Sequence, residues 1–154
     1  VILPSVGQDD DAFEENIMIA NSPSPTDRAS FNRAMSDVRT DHATLRRLAV
    51  ALSKGPGNAT DNALSLVDAM IAHESAEASL FALPFLTRPP ATVVSTGVRA
   101  RRRCVEYRSG TVRLPDPGAA AALLVEALLT HLAAEDAWLA HEEEQHHERL
   151  LNAI

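Results

Sequence analysis

Two short segments, His73-Glu74-Ser75-Ala76-Glu77 and His131-Leu132-Ala133-Ala134-Glu135, each set a histidine four residues ahead of a glutamate. Four residues span about one helical turn, so on a helix the imidazole and the carboxylate project from one face. His42 sits in the same way on the apolar stripe of a third segment. Imidazole nitrogens and carboxylate oxygens are donors to first-row transition metals, so this set reads as a metal site. A plainer use exists, in which the histidines are core residues hydrogen-bonded to Glu77 and Glu135. That use is the commoner one for a lone core histidine, but five groups in register across three helices favour a metal. A buried carboxylate is expensive without a partner, and a cation supplies one.

The elements that must position these groups can be read from spacing and punctuation. Phe31, Met35, Val38, His42, Leu45, Ala49 and Leu52 alternate four and three apart, as does the series Ala63, Leu66, Met70, His73, Glu77 and Leu80. Leu124, Leu128, His131, Glu135 and Trp138 repeat the rhythm. Such stripes predict amphipathic helices with the five polar groups in slots normally filled by aliphatic residues. Ser24-Pro25 with Asp27 starts the first helix, which runs to about Lys54 before Gly55-Pro56-Gly57. Asn58 with Asp61 opens a second helix ending near Pro84, and Thr87 before Pro89-Pro90 opens a third, stopping around Ser109-Gly110. Asp116-Pro117 starts a fourth that runs almost to Ile154, its final turns extending past the others. Short connections between long helices imply antiparallel neighbours, hence an up-down-up-down antiparallel four-helix bundle.

Composition agrees with this all-α class. The 154 residues are one domain's length, and 45% hydrophobic content with 4% aromatic suits an Ala- and Leu-rich helical core. Two regions are expected: an acidic, mobile arm over residues 1–23, and the bundle over 24–154. A net charge of −7 argues against general nucleic-acid binding, although Arg99, Arg101, Arg102, Arg103 and Arg108 cluster on the third helix. No segment reads as membrane-spanning, and the single Cys104, which excludes an intramolecular disulfide, fits a cytoplasmic setting.

Residues 27–140 resemble the hemerythrin-like, or HHE cation-binding, family. The resemblance lies in Asp41-His42-Ala43-Thr44-Leu45-Arg46-Arg47-Leu48, in His73 to Glu77 with the downstream Leu80-Phe81-Ala82-Leu83-Pro84, and in His131 to Asp136. It implies a non-heme di-iron centre inside a four-helix bundle. His42, His73 and His131 are then terminal ligands, Glu77 and Glu135 bridge, and Asp136 is the rival for the second bridge. Mononuclear iron, Mn or Zn is chemically compatible with the same donors. Such a centre binds, senses or detoxifies dioxygen, peroxide or nitric oxide. The alternative is a regulatory or interaction bundle whose metal site is degenerate, with a protein partner the sequence does not identify.

The third helix departs from the family pattern, which usually places one or two histidines there. Counting back from its end puts Ser95, Thr96 and Gly97 at the ligand level, while Cys104 and Glu106 lie too far along the axis. Either a second metal is short of ligands or only one binds. Small residues there predict an open side, which suits ferroxidase, peroxidase or catalase-like turnover better than pure carriage. Weaker expectations attach to other residues. Glu142, Glu143, Glu144 and Glu148 with His141, His146 and His147 read as a solvated helix end rather than a surface metal site. Cys104 reads as a buried thiol, the arginines as solvent-facing, and Trp138 as a core residue walling the site from water.

Overall fold

The computed structural model describes residues 24–54, 59–84, 86–109 and 117–151. The expected acidic arm, the Gly55-Pro56-Gly57 joint and the Asp116 start signal lie outside them. All the described regular structure is helical: α1 Pro25–Ser53, α2 Ala59–Phe81, α3 Ala91–Ser109 and α4 Pro117–Leu151. Helix α1 begins as its sequence dictates. The Ser24 hydroxyl accepts from Asp27 N at 3.2 Å and Asp27 Oδ2 accepts from Ser24 N at 2.9 Å, a reciprocal cap that satisfies two backbone donors. Helix α3 starts at Ala91, later than Thr87, because two prolines precede it; the Pro90 carbonyl accepts its first bond, from Val94 N.

Helix α1 packs most extensively on α2 and α3 on α4, with α1 also against α4; α2 and α3 touch less. Two apolar clusters form the core. One gathers Leu45 and Leu52 of α1, Leu66 and Met70 of α2, Ala100 and Cys104 of α3, and Leu124, Leu128 and Leu132 of α4. The other gathers Phe31, Met35 and Val38, Leu80, Val93, and Trp138 with Leu139. A fully buried Leu or Phe side chain contributes roughly 1.5–3 kcal/mol of transfer free energy, so these clusters supply the cohesion. Along each chain segment the histidines fall between them: His42 between Val38 and Leu45, His73 between Met70 and Leu80, and His131 with Glu135 between Leu128 and Trp138. The polar groups thus make one layer capped by hydrocarbon on both sides. On α3 the stretch between Val93 and Ala100 holds Ser95, Thr96 and Gly97.

The α1 stripe read from spacing is the buried face residue for residue. The far end of α4 differs from expectation. Glu142 and His146 are buried, not solvated, with the Phe31 and His146 rings 4.5 Å apart. Their spacing continues the stripe of His131, Glu135 and Trp138, so the core face of α4 runs on against the start of α1. The reading of no membrane-length segment also needs amending. Gly118–Arg149 is long and apolar enough to cross a membrane by length and composition, a test that the core helix of a soluble bundle also meets.

Candidate metal centre

Glu135 lies at the middle of the polar layer. His42 Nε2 and His73 Nε2 each stand 3.2 Å from Glu135 Oε2, and His131 Nε2 stands 3.5 Å from the same oxygen. The second carboxylate, Glu77, places Oε1 3.6 Å from His131 Nε2 and Oε2 4.0 Å from His73 Nε2. One ligand atom from each of His73, Glu77, His131 and Glu135 falls within 4.8 Å of the others. Donors about 2.0–2.2 Å from a shared ion stand at most ~4.4 Å apart, so closing by a few tenths of an ångström would let these four hold one.

At His42 and His131 the far nitrogen fixes which atom of the ring is offered. His42 Nδ1 lies 2.6 Å from Asp136 Oδ1, and the Arg46 guanidinium holds the other Asp136 oxygen. A carboxylate can only accept, so Nδ1 carries the proton given to Asp136 and Nε2 faces Glu135. Thr96 orients His131. Its hydroxyl donates to the Thr92 carbonyl at 2.7 Å, which leaves the oxygen to accept from His131 Nδ1 at 3.3 Å. His131 Nε2 then faces two carboxylates, 3.5 Å from Glu135 Oε2 and 3.6 Å from Glu77 Oε1, a position from which a neutral ring would offer its lone pair to a cation between them.

Hydrogen bonding within the protein does not satisfy the layer. His131 Nε2, Glu135 Oε1 and His73 Nδ1 are buried without a hydrogen-bond partner. Each such group costs on the order of 1–3 kcal/mol. An ion would engage the first two, so the residues present fit a bound metal. The charges are arranged accordingly. Burial works to raise the Glu135 carboxyl, but His42 and His73 outweigh it and hold it well below the usual carboxylate range. Burial works to lower His42, but Glu135 and Asp136 outweigh it and hold its pKa above the ordinary value.

Helix α3 donates no ligand among the described residues, and its backbone comes close instead. A Cβ on Gly97 would lie 3.1 Å from His131 Cε1, so the ring leans on bare backbone. The ring therefore fills the space above Gly97. The opening lies beside it, as a cavity of about 260 Å³ between α2 and α3 that reaches Glu77 and His131 and is walled by Met70, Phe81, Val93 and Val98.

The structure brings His42, His73, Glu77, His131 and Glu135 together in one layer. It places Asp136 elsewhere: outside the four-donor group, 41% exposed, with its carboxylate divided between His42 and Arg46. The sequence puts Thr96 at the ligand level and Arg46 beside His42 without giving either a role; Arg46 lies one turn after His42 on the same face, which is the signal for its part. Glu142 accepts from the Thr87 backbone N–H and hydroxyl, and Trp138 Nε1 reaches that hydroxyl at 3.4 Å, so this acid ties the segment before α3 to α4. His141 and His147 are exposed. Cys104 is a core thiol, pushed up to about 11 by burial and the Glu74 charge. Arg101 pairs with Glu74, Arg102 and Arg103 with Glu106, and Arg108 with Asp68. Compared with known proteins, the chain finds no match: no protein family profile, curated protein or solved structure aligns with it.

Proposed function

We propose that this chain is a metal-binding helical bundle of hemerythrin-like design, whose iron centre binds, senses or removes dioxygen, peroxide or nitric oxide. The observation that carries the reading is the convergence of three imidazole Nε2 atoms on one buried carboxylate oxygen, with a second carboxylate alongside. The topology supports it. The start of α1 shares a cluster with the end of α2, the start of α3 and the end of α4, as an up-down-up-down bundle requires. Mixed nitrogen and oxygen donors suit iron, with Mn or Zn as chemically acceptable substitutes.

The donor count favours one ion per chain. Four ligand atoms lie mutually close, whereas a second ion would find only His42 and a share of Glu135, since α3 adds nothing. His42 then serves mainly to orient Glu135, itself steadied by Asp136 and Arg46. A bound iron supplies Lewis acidity and redox chemistry at positions the protein leaves open. The protein's own part is to hold the buried Glu135 carboxylate ionised among the imidazoles and to orient His42 and His131 toward it.

Metal analysis of protein purified from iron-replete cells tests this directly. About one iron per chain is expected, lost in His73→Ala while helical content is retained; two irons would restore a dinuclear centre. A second reading, an interaction bundle with a vestigial site, is favoured by the hydrogen bonds His42 already makes to Glu135 and Asp136. Protein that stays metal-free after anaerobic Fe(II) loading would establish that reading instead.

A further inference from the structure

We infer that the cleft between α2 and α3 is the entry and holding site for a small, uncharged ligand of two to four atoms, such as nitric oxide, dioxygen or hydrogen peroxide. The inference rests on the metal-binding reading for its destination, but the cleft is observed independently of any ion. Among the five donors it exposes Glu77 and His131 alone, so a molecule entering there meets the layer on its α3 side. The opposite side is closed, because His42 is buried with both nitrogens engaged.

Chemistry selects the occupant, since a volume of about 260 Å³ is several times the ~30 Å³ share of one water and so admits molecules of a few atoms without choosing among them. Met70, Phe81, Val93, Val94 and Val98 make the walls apolar, which favours dissolved gases over ions. The charged groups in the lining are Glu74, Glu77 and Arg101, with Arg101 Nε held at 2.6 Å by Glu74. Two carboxylates against one guanidinium leave the lining net negative, so an anion such as azide is repelled. The Gly97 contact matters here as well. With no side chain at 97, the His131 ring sits back against α3, and both residues line the cleft.

The experiment has two arms. In the metal-free protein, xenon should shift the methyl resonances of Met70 and Val93, which are buried on the cleft, and leave those of Val38 and Leu45, buried elsewhere, in place. In the Fe(II)-loaded protein, Val98→Trp should slow nitric oxide association about tenfold or more at unchanged iron content, because the indole occupies the cleft wall. Ile71→Trp, on an exposed α2 position outside the lining, should not change the rate. Azide should associate more slowly than nitric oxide, and the difference should shrink in Glu74→Gln. Failure to load iron overturns the metal reading, and the xenon arm then decides the cleft by itself. Iron that loads normally while Val98→Trp leaves the nitric oxide rate unchanged, or xenon that shifts no cleft methyl, overturns the inference.

Discussion

On its α1 side the polar layer is tied off. His42 is held at both nitrogens, by Glu135 at 3.2 Å and Asp136 at 2.6 Å, and Arg46 anchors Asp136 from the surface. On its α3 side His131 leans on Gly97, takes one 3.3 Å contact from Thr96, and borders a cavity. Both sides serve the same two carboxylates. The difference teaches that rigidity and access are allotted to opposite flanks: the hydrogen-bonded flank fixes donor geometry, and the flank that borders the α2–α3 cavity leaves room for something to arrive. Substitutions on the two flanks should therefore fail differently.

The largest effect is expected at the group both flanks share. Glu135→Gln removes the anion that three imidazoles face, and metal affinity should fall about 100-fold or more by calorimetric titration. Unfolding by urea should show a loss of about 2 kcal/mol in the metal-free protein, since His42 and His73 each lose an ionised acceptor. Glu77→Gln should weaken metal binding with little effect on metal-free stability, because its nearest imidazole nitrogen is 3.6 Å away, outside hydrogen-bond range. Equal losses in both assays for the two variants would make Glu77 and Glu135 equivalent.

Next comes the closed flank. Asp136→Asn keeps the shape but discards the charge that holds His42, and metal affinity should drop by about tenfold, the low end of the cost of losing an outer partner, because Asp136 acts on the ligand Glu135 through His42. The nitric oxide association rate should stay near wild type, since the cleft is untouched. The same flank sets the pH response of the metal-free protein. His42 has a folded-state pKa above its ordinary 6.5, so its contribution is full below that value and is lost as pH rises through the folded pKa. Glu135 lies below its ordinary 4.5, so its contribution is full above that value and is lost as pH falls toward the folded pKa. Melting temperature in chelator should peak between pH 4.5 and 6.5, and His42→Gln should flatten the alkaline limb.

The buried layer is more legible in the sequence than the groups that orient it. A four-three rhythm specifies which side of a helix is buried, so the α1 face and the histidine-carboxylate layer followed from spacing alone. Asp136 was drawn toward the metal by its nearness in sequence to His131, yet the 100° step per residue turns it away from Glu135 toward α1, where Arg46 waits. Thr96 could not be assigned a partner, because a hydroxyl at the right level serves equally as filler; only the orientation of His131 reveals its use. Glu142 and His146 were hidden by composition. A run of Glu and His reads as solvated until the stripe is followed one more turn against Phe31.

The smallest effect is expected at Gly97, and its sign is informative. Replacing a mid-helix glycine by alanine ordinarily stabilises a helix by about 1 kcal/mol, since the glycine backbone gives up more freedom on folding. Here the new methyl would stand 3.1 Å from His131 Cε1, so the ring must retreat by a few tenths of an ångström toward the carboxylates and the cleft. A metal-free layer can absorb that shift, because His131 Nε2 has no hydrogen bond to lose. A bound ion cannot, because its bonds to four donors tolerate little displacement. Gly97→Ala should therefore leave the metal-free protein equally or more stable while metal affinity falls several-fold and nitric oxide enters more slowly. Stability and affinity moving together instead would make Gly97 a packing residue like any other, and the open flank would lose its claim to be a designed approach.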